Sequence, residues 1–243
     1  MNAVPEVPTY KASDSTVAGR LGNAERAQFI LRTYAHLLGA VLTFATIEVL
    51  LFVTGLGHTL GAAVLRGGAL MWLAVLGGFM IGGWTATRVA HSAQSLRAQY
   101  SALFAYVLIE ALLFCPLLFF AALVAPSATA IAALITLAGF VALTAIVFIT
   151  SKDFSFLGAV LRWGALVALL MIAAGAIFGF HGGLYFSAGM VALAGGMVLY
   201  DTSNVLLHYP KDRYVGASLQ LFASLALLFW YVLRIAISLT SRD

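Results

Sequence analysis

Charge is what this sequence has least of. Only 9% of its 243 residues are charged, where a soluble domain carries roughly 25%, and that excludes an ordinary water-soluble enzyme. Cysteine occurs once, as Cys115 within an apolar stretch, so no intramolecular disulfide can form. Long polar segments are missing as well. The longest loop, residues 88–100, is too short to bury a core of its own, which excludes a soluble domain. No HExxH, GxSxG, Cys/His ligand cluster or phosphate-cradling glycine loop occurs. The chain is therefore expected not to be an enzyme and to need no cofactor.

What is present is apolar. Hydrophobic residues make up 63% of the chain and gather in runs of about 20 residues, the length that crosses a bilayer core as helix. Seven spans are expected, at roughly residues 30–54, 68–87, 101–124, 129–150, 158–179, 183–204 and 217–239. The expected fold class is all-α, a polytopic membrane protein with a seven-transmembrane-helix bundle. Residues 1–28 carry two prolines and mixed charges without an apolar run. They read as a short mobile cytoplasmic tail and not as a signal peptide, which leaves residues 29–243 as the transmembrane domain.

Seven spans put the two termini on opposite sides. Lys11, Arg20, Arg26, Arg32, Arg88, Arg97, Lys152, Arg162, Lys211 and Arg213 fall on the side of the N-terminus, against Arg66, Arg234 and Arg242 on the other. Basic residues concentrate on the cytoplasmic side of membrane proteins, so the N-terminus is expected in the cytoplasm. Topology alone accounts for the net charge of +4, and no nucleic-acid partner is implied. The expected surroundings are a lipid bilayer, and the short loops fit a bacterial inner (plasma) membrane. Gly78/Gly82 and Gly175/Gly179 have the GxxxG spacing that lets helix backbones approach closely, read here as packing within one bundle.

Acids at membrane depth are costly, about 2.5–3.5 kcal/mol for Asp at a helix centre on insertion scales, so the few that occur are the best pointers to function. Three of the nine acids qualify: Glu48, Glu110 and Asp201. Asp201 shares a helical face with Asn204 and His208, while Gln220, Ser224, Leu227, Tyr231 and Arg234 repeat along one face of the last span. Two polar stripes on successive helices suggest a lined interior route, or else hydrogen bonding between helices. Glu110 follows Tyr106 by one turn and precedes Pro116, whose missing N–H is expected to kink the helix. Glu110 reads either as a cation or proton relay or as a neutral acid hydrogen-bonded to a neighbour. The structural reading holds more firmly for Glu48.

Three segments stand out together: Phe29-Ile-Leu-Arg-Thr-Tyr34, Ser151-Lys-Asp-Phe-Ser-Phe-Leu-Gly158 and Met197-Val-Leu-Tyr-Asp-Thr-Ser203. With seven spans in register, the chain over about residues 26 to 240 resembles the Bax inhibitor-1/YccA-like family, also called the transmembrane BAX inhibitor motif family. The resemblance implies a bundle with the seventh helix central and the others wrapped around it. It also implies calcium leak across the membrane, cell-death suppression in eukaryotes and, in some bacteria, modulation of a membrane-anchored AAA+ protease. The family's pH sensor is a pair of aspartates, in the sixth and seventh spans, with an arginine of the second span as latch. Asp201 matches the first aspartate and Arg88 the latch. Where the family reads roughly Leu-Tyr-Leu-Asp, this chain reads Leu221-Phe-Ala-Ser224, so the second aspartate is absent.

Two carboxylates in contact share one proton and form a switch. Ser224 cannot play that part. The leading expectation is a passive ion leak, for calcium, with weak pH gating. Asp201, Arg88, Ser224, Gln220 and Glu110 are the candidate pathway or pH-sensing residues, and Asp201 is the best candidate to meet a metal ion. The alternative is a non-conducting regulator of a membrane-anchored AAA+ protease. A metabolite transporter is less favoured, because no inverted repeat with interrupted helices is evident.

Overall fold

A computed structural model describes residues 17–92, 95–178 and 183–241 of the chain. Residues 1–16 of the expected tail, together with Gly179 and Arg242, lie outside the described residues. Eight α-helices make up almost everything described: α1 (Asn23–Val53), α2 (Leu56–Arg66), α3 (Gly68–Ser92), α4 (Leu96–Val124), α5 (Ala128–Thr150), α6 (Leu157–Phe178), α7 (Gly183–Leu207) and α8 (Tyr214–Thr240). No strand occurs among the described residues, apart from one isolated bridge between Val17 and Pro210. Among the described residues six helices, α1 and α4 to α8, are long and apolar enough to cross a membrane by length and composition. α3 falls where the second of the seven expected spans was placed.

The helix ends follow from local chemistry. Glu25 in the first turn of α1 complements the positive end of the helix dipole. That helix stops where Gly55 takes a left-handed φ of 81° and donates its N–H to the Phe52 carbonyl, a conformation glycine adopts without penalty. The Oγ of Ser95 caps α4 by accepting the N–H of Ala98 at 3.3 Å. α4 then runs through Pro116 as one helix.

Two features differ from the sequence expectation. The segment 55–67, expected as a loop, holds α2, which packs against α4. A Cβ on Gly61 would lie 2.4 Å from the Cβ of Phe119, so the close approach of α2 to α4 depends on that glycine. The expected tail to residue 28 is also cut short. Asn23–Gln28 already belong to α1, and before them Ala18–Arg20 form a 3-10 turn. This strap docks through its backbone, with the Ala18 N–H donated to the Tyr209 carbonyl at 2.8 Å. Ala18 is fully buried there.

α8 occupies the centre, touching α1, α3, α4, α5 and α7. Two thirds of its apolar window (67%) is buried, against 11% for α6. Outward, large apolar side chains such as Leu31, Leu134, Ile149 and Leu170 are exposed, an arrangement that would aggregate in water and is at home in lipid. Gly78 and Gly82 both meet α4 side chains, Leu113 and Ile109 respectively. Their spacing serves contact inside the bundle.

Candidate functional site

The site is built on α7 and α8, joined by the turn at residues 208–213. Asp201 lies late on α7, and Gln220 and Ser224 lie one turn apart on α8 facing it. All three are buried, with Asp201 5% exposed. The Gln220 amide donates to Oδ1 of Asp201 at 2.6 Å, and the Ser224 hydroxyl donates to Oδ2. Gln220 in turn accepts, at Oε1, the hydroxyl hydrogen of Tyr209. Both carboxylate oxygens therefore meet neutral donors. A chain of contacts runs from Asp201 through Gln220 to Tyr209, whose backbone carbonyl receives the Ala18 N–H. Burial, foremost, and the charge of Asp201 push the Tyr209 hydroxyl above the ordinary tyrosine range, so it remains a donor.

Polar contacts fix the same end of the bundle. The Oγ of Ser203 accepts the Phe154 N–H at 2.9 Å and donates to the Lys152 carbonyl at 3.4 Å. This ties the SKDFSFLG segment to α7. Asp153 accepts the Ser155 N–H at 2.8 Å and pairs with His208 at 3.4 Å. The Ser155 backbone N–H, with His208 adding to it, holds the Asp153 carboxyl below the usual aspartate range. Lys211 pairs with Glu25 at 3.6 Å, joining α1 to the turn before α8.

Of the residues expected to act together, Asp201, Gln220 and Ser224 are in contact. Arg88 is exposed on α3, and the hydrogen bonds on the Asp201 oxygens come from Gln220 and Ser224. Glu110 is fully buried on α4, one turn from the likewise buried Tyr106. Glu48 on α1 accepts a weak hydrogen bond from the Cys115 thiol of α4 at 3.7 Å. Among the described residues no group of three or more His, Cys, Asp or Glu comes together that could hold a metal ion. Asp201 thus places one carboxyl group against the neutral donors of Gln220 and Ser224. Sequence reasoning missed Tyr209 and the Glu48–Cys115 contact. Tyr209 lies in a turn, out of helical register with Asp201, and Glu48 and Cys115 are 67 residues apart.

A family model described as "Inhibitor of apoptosis-promoting Bax1" matches residues 26–242. Among curated proteins, the chain is similar to the "Modulator of FtsH protease YccA" of Escherichia coli K12, 34% identical over 103 residues, covering 41% of this chain and 45% of that protein. The same figures hold for the "Inner membrane protein YccA" of Escherichia coli O6:H1. It is also similar to an uncharacterised protein of Pseudomonas aeruginosa, 35% identical over 97 residues, covering 40% and 43%. The matched stretch spans under half the length of each of these relatives.

Proposed function

The chain belongs to the Bax1-inhibitor family, and on that premise we propose that this bacterial inner-membrane protein regulates a membrane-anchored protease of the FtsH type. The observation that carries the reading is its similarity to a relative named as a modulator of that protease. The geometry supports it in one respect. Asp201 is buried, with Gln220 and Ser224 on its two oxygens, which suits a protein that acts by contact more than by permanent conduction. The end carrying the Glu25–Lys211 and Asp153–His208 pairs is the surface proposed to meet the partner.

The test is degradation of a membrane substrate by the protease in reconstituted vesicles. Adding this chain is expected to slow degradation severalfold. Unchanged degradation with the chain correctly inserted would overturn the proposal.

A second reading, cation leak, is favoured by one observation: a carboxylate, Asp201, held inside the bundle near one end. In proteoliposomes Asp201→Asn should then reduce calcium flux and Ser224→Asp should add pH dependence. Flux indifferent to Asp201→Asn would sink it. In either reading α3 crosses the membrane as one of seven spans, with the N-terminus cytoplasmic, because ten of thirteen basic residues then lie inside. Reporter fusions at the two ends should score on opposite sides.

A further inference from the structure

A groove of about 320 Å³ opens between α1 and α4, away from Asp201. Ala35, His36, Gly39 and Thr43 line one wall and Tyr100 and Phe104 the other. Gly39 faces open space in that wall: a Cβ built there meets nothing within 4 Å. The closed end is apolar, and the end near the start of both helices is polar. There the Nε2 of His36 and the Tyr100 hydroxyl lie 2.7 Å apart in a hydrogen bond, while Nδ1 of His36 lies 2.7 Å from the Arg32 carbonyl.

Helical spacing adds two cations. Arg32 precedes His36 by one turn on the groove face of α1, and Arg97 precedes Tyr100 and Phe104 at i+3 and i+7 on that of α4. Both arginines are exposed, and among the described residues neither forms a salt bridge. The Arg32 guanidinium rests over the Tyr214 ring, 5.6 Å from its centroid, which holds it at the mouth. From Arg32 to Thr43 the helix rises about 16 Å, close to the ~15 Å half-thickness of a bilayer's hydrocarbon core. Aromatic residues and arginines at the mouth match the composition of a membrane–water interface.

We propose that this groove is a binding site for an anionic phospholipid, with an acyl chain lying over Gly39 and the phosphate between Arg32 and Arg97. Charge complementarity selects the occupant. A neighbouring transmembrane helix would fill the small-residue wall formed by Ala35, Gly39 and Thr43, but it would bring no anion to the two guanidinium groups.

The experiment is native mass spectrometry of the purified full chain, titrated with phosphatidylglycerol and, separately, with phosphatidylcholine of the same acyl chains. Wild type should retain phosphatidylglycerol about tenfold better than phosphatidylcholine, each basic residue near a headgroup adding several-fold. Arg32→Gln combined with Arg97→Gln should abolish the preference. Gly39→Leu should reduce retention of both lipids while leaving the melting temperature within a few degrees, because its side chain enters open space. Inorganic phosphate in excess should not displace the lipid. Equal retention of both lipids by wild type would overturn the site, as would full retention by both variants. So would a wild-type dimer that Gly39→Leu converts to monomer with its lipid still bound.

Discussion

The three-residue cage around Asp201 concentrates the consequences of single side chains. Gln220 is its hinge, donating to Asp201 and accepting from Tyr209 at once. Gln220→Leu strands two buried polar groups, each costing about 1–3 kcal/mol when left unsatisfied. Ser224→Ala removes one donor from an oxygen whose carboxylate keeps its other bond, and interhelical hydrogen bonds in membranes average about 0.6 kcal/mol. Unfolding in detergent should therefore show Gln220→Leu destabilising by about 2–6 kcal/mol and Ser224→Ala by about 1 kcal/mol or less. Equal effects would mean that Gln220 does not bridge the cage.

Asp153 allows a test outside the membrane. Its carboxyl sits lower in the folded state than the ordinary value, about 3.9 for a free aspartate. Its contribution to stability is thus complete above that pH and is lost as pH falls through the lower folded value. Asp153→Asn should lower the melting temperature at neutral pH, and the gap to wild type should narrow as pH drops below about 4. A gap that widens on acidification would contradict the assignment.

At the scale of elements, glycine placement decides which helices can approach. Gly61→Val would push α2 off α4, since the first added carbon already lies 2.4 Å from Phe119. Overpacking of this kind costs about 1–3 kcal/mol, read as a lower melting temperature, with Gly39→Val in open space as the neutral comparison. α2 itself shows where legibility ended. The seven expected spans each coincide with a helix because a run of apolar residues is a signal of length, and the eleven residues of α2 are too few to give it. The strap at residues 17–21 left no trace for a different reason. It is held by backbone bonds to Tyr209 and a bridge to Pro210, which no pattern of side chains records. In the site, Asp201, Gln220 and Ser224 were legible because helical spacing put each on a face directed at the other helix. The mutual placement of Glu48 and Cys115 depends on how α1 and α4 pack, which spacing within either helix does not encode.

At the scale of the whole molecule, the scarcity of charge sorts itself by place. The exposed polar pairs collect at the end of the bundle where α1 and α8 begin, as Glu25 with Lys211 and Asp153 with His208. The three buried acids lie on three different helices, α1, α4 and α7, each with its own surroundings. The central position of α8 has a further consequence for biogenesis. Chains emerge from the ribosome N-terminal end first, and of the eight helices the one that touches α1, α3, α4, α5 and α7 is made last. Until Tyr214–Thr240 is made, the helices it touches lack their common partner, and Asp201 lacks Gln220 and Ser224. The contacts that α8 makes with five helices and the polar cage around Asp201 can therefore form only once the last of these eight helices is in place.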